Sequence, residues 1–148
     1  MDASVPFLFI ENIIESIFKH TIMPFVQINL AQSLSEQVKN DISKSIHESL
    51  ISHFNIPADD YFQVIHELPE RGLLFPASYM NIPHTGNLVY IQIIARTGRT
   101  VEMKKALYRS IAEKIAARTP ISTNDVFIVL VENNSPDWSF GQGIAQYA

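Results

Sequence analysis

Two residues in this sequence pair a reactive side chain with a position that the surrounding pattern does not demand. Pro24 heads an alternating segment, Pro24–Leu30. A proline with a free amino group is a secondary amine. Burial and nearby cations lower the pKa of such an amine toward neutrality, where it can take or deliver a proton. Inside a chain the same nitrogen is an amide with no proton to exchange, and proline is also a common structural first residue of a strand. Arg99 stands at the start of a helical pattern, where the macrodipole disfavours a cation. A guanidinium beside helical N–H groups makes a clamp for a carboxylate; the plainer reading is a charge facing solvent. His20, His47, His53, His66 and His84 show no zinc spacing and read as surface or packing residues. There is no cysteine, hence no thiol chemistry or disulfide framework. Tyr108 falls within a helical pattern and reads as core rather than catalytic.

The elements that position these residues belong to one domain of 148 residues. Hydrophobic residues make up 47% of the chain and charged residues 18%, enough apolar material for a core. The charges are sparse enough to expect some apolar surface to be covered by partner subunits. A net charge of −4 argues against a nucleic-acid partner. No apolar run reaches membrane-spanning length. The first twenty-two residues lack a basic start, and Glu11 and Glu15 interrupt them, so a secretory signal is not expected and a cytoplasmic location is.

The chain repeats itself. Shifted by 65 residues, it matches without a gap: Gln27-Ile28 falls on Gln92-Ile93, Lys39 on Lys104, Ser45-Ile46 on Ser110-Ile111, Glu48 on Glu113. Further along, Ile56 falls on Ile121, Asp60 on Asp125, Phe62 on Phe127, Val64 on Val129 and Glu67 on Glu132. Register held through a helix and both flanking strands defines a structural repeat. In the first copy, strand Pro24–Leu30 precedes a helix capped by Ser33 or Ser35, with Val38, Ile42, Ile46, Leu50 and Phe54 on its apolar face. Pro57 and Asp59-Asp60 turn the chain into strand Tyr61–Glu67. In the second, strand Leu88–Ala95 leads to a helix starting at Thr100 with Met103, Leu107, Ile111 and Ile115 buried, then a turn at Pro120 and Asn124-Asp125, then strand Val126–Val131. The domain organisation expected is an extension, 1–23, and a domain, 24–148, with repeat units 24–67 and 89–132 and a tail, 133–148. Leu68–Asn87, with three prolines and two glycines, joins the copies as an irregular lid or interface element.

Two β-α-β units with right-handed crossovers give an α+β fold, a four-stranded sheet with both helices on one face. Val126–Val131 is nearly all apolar and is expected at the sheet's centre. The second sheet face would be exposed in a monomer, so closed self-association is expected. The repeat also supplies an internal control. Pro24 aligns with Val89 and Arg99 with Leu34, so neither is required by the strand or helix start it occupies.

Several motifs, in order along the chain, resemble those of the tautomerase superfamily, closest to its malonate semialdehyde decarboxylase branch. They are Pro57-Ala58-x-Asp60-x-x-Gln63, Arg99-Thr100-x-Glu102-x-Lys104, Tyr108, and Glu132-Asn133 followed by Asp137-Trp138-Ser139-Phe140-Gly141-x-Gly143. The resemblance runs from Pro24 through Tyr147. It implies a homotrimer of β-α-β-β-α-β protomers, an amino-terminal catalytic proline, small carboxylated carbonyl substrates, and no metal or organic cofactor. By that resemblance Pro24 is the acid or base, Arg99 holds the carboxylate, and Asp60 orients water or assists the proline. Asp125 stands at the same place in the other copy, so an aspartate here equally serves the turn. Trp138 and Phe140 resemble the apolar wall of the family's site; packing in the core or at the trimer interface is compatible with that role. The decarboxylase pattern has two arginines separated by one residue, and a gapless match puts Thr97 where the first belongs. Arg96 is one position early, on the opposite sheet face unless a bulge at Gly98 restores it. Arg96 and Thr97 are therefore the candidate partners of Arg99 in binding substrate.

Residues Ile10–His20 pattern as an amphipathic helix in the extension. Proline catalysis requires Met23 to be the true start, later removed, or the extension to be cleaved. A cofactor-free tautomerase or decarboxylase-like enzyme and a silent trimeric binding or scaffold homologue with an internal proline are thus both open on sequence.

Overall fold

The computed structural model describes residues 6–20 and 24–148, without the side chains of 14–20. Met23 lies outside the described residues, as do the side chains of Ile14, Ile17 and Phe18. The main elements are α1 (Phe7–His20), β1 (Phe25–Ala31), α2 (Glu36–Phe54), β2 (Gln63–Leu68), β3 (Ser78–Tyr79), β4 (Ile82–Pro83), β5 (Val89–Arg96), α3 (Val101–Arg118) and β6 (Val126–Asn133). Strands order as β2-β1-β5-β6, with β1/β2 and β5/β6 parallel and β1/β5 antiparallel. Gln27 and Gln92, equivalent in the repeat, pair with one another across the central ladder. The two copies are therefore related by a pseudo-twofold axis between those glutamines.

Both helices start as their sequences direct. Ser35 Oγ accepts from Val38 N at 3.2 Å, and Thr100 Oγ1 accepts from Met103 N at 3.2 Å. Asn55 closes α2 in the left-handed conformation, φ 54°. Ile42, Ile46 and Leu50 of α2 and Leu107, Ile111 and Ile115 of α3 meet Val26, Ile28, Leu30, Val89, Ile91 and Ile93 of the sheet in one buried cluster. Each such side chain contributes about 1.5–3 kcal/mol of apolar transfer. Across the helix pair, Ser49 and Ser110 share a hydrogen bond of 2.8 Å, and Glu48 accepts from Lys114 at 3.2 Å and Arg118 at 2.6 Å. Asp125 is fully buried and accepts from the Thr85 amide at 3.0 Å and from the Thr85 hydroxyl. It ties the connection between the copies to the turn before β6.

Two expectations change. The apolar run beginning at Val126 is not central: β6 is an edge strand, and β1 and β5 hold the middle. Its Phe127, Val129 and Val131 are 46%, 45% and 42% exposed on the face away from the helices, so its unbroken apolar character reflects one helix-covered face and one uncovered face. The connection Leu68–Asn87 is not wholly irregular: it contains a short 3-10 turn, Glu70–Gly72, and the β3/β4 hairpin. Met80 and Asn81 make that hairpin's two-residue turn with φ of 49° and 63°. The tail 133–148 closes by turns rather than by a strand pair, with Gln146 bonding both Phe140 N and Gly141 O. No helix among the described residues is long and apolar enough to cross a membrane.

Candidate active site

The start of β1, the end of β5 and the end of β6 lie together at one end of the sheet, because β1 runs antiparallel to β5, which runs parallel to β6. One step beyond the Phe25–Ile94 pair, Pro24 comes level with Ala95, which itself pairs with Glu132. Pro24 is buried. Asp60 precedes β2 at the same end, half-buried, its amide donating to Pro57 O at 3.1 Å.

Arg96 is the last residue of a regular β5 and projects to the face opposite Ala95. There it lines a crevice with Ser135, Trp138, Phe140 and Tyr147. Gly98, φ 121°, lies in the turn after the strand, where a side chain would be strained; no bulge restores Arg96 to the other face. Beyond that turn Arg99 folds back. Its Nη1 donates to Arg96 O at 2.8 Å, and its guanidinium lies 4.9 Å from the centroid of the Phe54 ring at the end of α2. Burial holds the Arg99 pKa below the usual arginine range, the like charge of Arg96 adds to that, and Glu132 opposes it. Thr97 continues the ladder through its amide to Asn133 O at 2.9 Å, and its hydroxyl reaches Asn134 Oδ1 at 3.4 Å.

Arg96 Nη1 and Arg99 Nη2 are buried with no hydrogen-bond partner among the described residues. An unmet buried donor costs about 1–3 kcal/mol, and more when charged. Both donors belong to residues at this end of the sheet.

The wall beside them is aromatic. Trp138 Nε1 donates to Asn133 Oδ1 at 2.6 Å, and its ring stacks on Phe140 at 5.7 Å, which in turn meets Tyr147 edge-on at 5.8 Å. Phe25, Phe62, Trp138, Ser139 and Phe140 line a cleft of about 210 Å³. Its counterpart across the pseudo-twofold, about 510 Å³, is lined by Tyr90 and Phe127 where this one has Phe25 and Phe62, and by Phe75 where this one has Phe140. That opposite end carries Ala31, Leu34 and Val89 in place of Arg96, Arg99 and Pro24. The cationic corner is therefore peculiar to one end.

Two sequence models of the tautomerase enzyme family match the chain, over residues 24–78 and 60–141. The chain belongs to the tautomerase family. It is 44% identical over 124 residues to "Probable tautomerase YusQ" of Bacillus subtilis strain 168, covering 84% of this chain and 98% of that protein. Among solved structures, a malonate semialdehyde decarboxylase inhibited by 3-bromopropiolate superposes with a TM-score of 0.78 at 30% identity, over 83% of this chain and 93% of that one. A fused 4-OT symmetric trimer shares the fold, with a TM-score of 0.68 at 18% identity over 83% and 97% of the two chains.

For this tautomerase, sequence reasoning singled out Pro24, Asp60, Arg96, Thr97, Arg99, Trp138 and Phe140, and the fold brings all of them to one end of the sheet. It assigned no role to Asn133, Glu132 or Lys104, although each stood in a quoted motif. Asn133 fixes the Trp138 indole, and Lys104 and Glu132 form an ion pair beside Arg99. The repeat carried a signal for that pair, since Lys39 and Glu67, their equivalents, also pair, at 2.9 Å.

Proposed function

We propose that this tautomerase acts on a small 2-oxo or 3-oxo carboxylic acid, with Arg99 and Arg96 receiving the substrate carboxylate and the Pro24 nitrogen moving the proton. The observation that carries the reading is the pair of buried, unpartnered guanidinium nitrogens at the sheet end where β1 begins. A carboxylate accepting from both would satisfy them and place the adjacent carbonyl carbon near Pro24. In tautomerisation the nitrogen takes the proton from the enol oxygen or the α-carbon and the other atom is protonated in turn, so the site is returned unchanged. With a 3-oxo acid, the same clamp and proton donor suit loss of carbon dioxide followed by protonation of the resulting carbanion. Asp60 assists the proline or a water, and Trp138 and Phe140 keep the cleft dry, which strengthens the arginine–carboxylate attraction. The protein works as a homotrimer that covers the open sheet face, and needs no added cofactor.

The nitrogen must be unblocked. The family match beginning at Pro24, and a relative matched over 98% of its length by 124 residues of this chain, support a mature protein that starts at Pro24. Mass spectrometry of the protein from its native source should find that species. Ketonisation of phenylenolpyruvate should be measurable and should fall at least about 100-fold in Pro24→Ala, the scale of general acid–base catalysis. A dominant species retaining residues 1–23, or full activity in Pro24→Ala, would overturn proline catalysis and leave a binding homologue.

A further inference from the structure

Glu132 stands near Arg99, whose Nη2 is buried with no hydrogen-bond partner among the described residues, and yet does not meet that nitrogen. It lies on the helix-facing side of β6, level with Ala95, four residues before Arg99. Its carboxylate is taken instead by Lys104 Nζ, from the first turns of α3. The partly exposed pair, 24% and 29% by side chain, is close enough to Arg99 for Glu132 to favour that arginine's charged form. A carboxylate built into the chain competes with any dissolved one at high effective concentration. The buried Arg99 Nη2, which has no acceptor among the described residues, is its natural destination.

The repeat shows what the pair does where no arginine is present. In the first copy Lys39 meets Glu67 at 2.9 Å, and also Glu36 at 3.1 Å and Gln32 O at 3.3 Å, while Leu34 occupies the place of Arg99. There the bridge joins helix to strand, with Ala31 and Leu34 at the positions equivalent to Arg96 and Arg99. In the second copy the same two positions border a cationic site, and the bridge has a second consequence.

We propose that Lys104 is a positioning residue: by holding the Glu132 carboxylate, it keeps Arg99 open to the substrate carboxylate. This deepens the functional reading above and rests on the arginine corner being the anion site. Without Lys104, the Glu132 side chain turns to Arg99 and the site fills itself.

The test reads binding directly, so that it stands apart from proline chemistry. Trp138 is the single tryptophan, and it shares a crevice with Arg96. Its fluorescence can therefore be titrated with pyruvate on the full chain. Lys104→Met should weaken pyruvate binding at least tenfold, Lys104→Arg should restore it to within about threefold of wild type, and Lys104→Met combined with Glu132→Gln should restore it as well, because the competing charge is gone. A merely structural bridge predicts the reverse for the double variant, which would stay as weak as Lys104→Met. That result, or wild-type affinity in Lys104→Met, overturns the proposal. If wild type binds pyruvate but the protein beginning at Pro24 shows no tautomerase activity, the catalytic reading has failed and this one stands. If wild type binds no pyruvate, and Glu132→Gln does not create binding, the anion site itself is refuted and this inference with it.

Discussion

Arg99 makes a set of contacts that only a guanidinium can make together. One nitrogen reaches the Arg96 carbonyl, a second is buried without an acceptor among the described residues, and the guanidinium lies over Phe54. Lysine has the charge but neither the fork nor the flat face, so the exchange is not conservative at such a site. Arg99→Lys should raise KM for a 2-oxo acid about tenfold, on the order of 1.4 kcal/mol, while the melting temperature stays within a few degrees of wild type. Steady-state kinetics with thermal denaturation checks both. An unchanged KM would mean that another group holds the carboxylate. Arg99 was legible in the sequence because the repeat supplied Leu34 as its control, and Pro24 was legible for the same reason against Val89. Glu132 was not. Its role depends on three neighbours that approach only when β5, β6 and α3 are assembled, and a single strand glutamate says nothing of them.

At the scale of elements, the helices declared themselves through period and caps, and both begin after the serine or threonine that sequence reading proposed. What sequence could not give was strand order. An apolar run leads one to expect burial on both sides without saying what covers each; in the protomer, β6 is covered by helices on one face and left open on the other. The β3/β4 hairpin escaped notice because strands of two residues carry no alternation to read. Between α2 and α3 the joint is partly electrostatic. Glu48 bonds Arg118, then Lys114, and its pKa is lowered from 4.5 as a result, against the opposing effect of burial. A carboxyl depressed in the folded state contributes stability above its unfolded pKa and loses that contribution as pH falls through the folded value. The loss therefore belongs below pH 4.5. With side chains about a third exposed, the cluster is worth about 0.5–1 kcal/mol. Glu48→Gln should be less stable than wild type by about that amount at pH 7, and the gap should shrink toward zero near pH 3. Urea unfolding at both pH values measures it; an equal gap at the two would show that the charge of Glu48 contributes nothing.

At the scale of the molecule, the unsettled surface is the sheet face turned from the helices. Val64, Gln27, Gln92 and Val129 form one row across it, and His66, Asn29, Tyr90 and Phe127 the next. Glutamines and an asparagine hold the centre while apolar side chains occupy the edge strands, with Val64 37%, Phe127 46% and Val129 45% exposed. Edges this apolar suit contacts made outward to neighbouring copies rather than burial beneath a single partner, which is the arrangement of sheets closing around an axis. In the proposed trimer, then, the edge of β6 is interface and the helix layer is not. Val129→Glu would set a charge in that interface, where desolvation without a partner costs several kcal/mol, yet in the lone protomer the same carboxylate reaches water at little cost. Light scattering should accordingly find wild type at three times the 16.8 kDa chain mass and Val129→Glu at one, with the far-ultraviolet dichroism of a folded α+β protein in both. Lys105→Glu, on the exposed side of α3, should leave the trimer whole. If Val129→Glu remains trimeric, the β6 face is not where the copies meet, and the apolar edge needs another explanation.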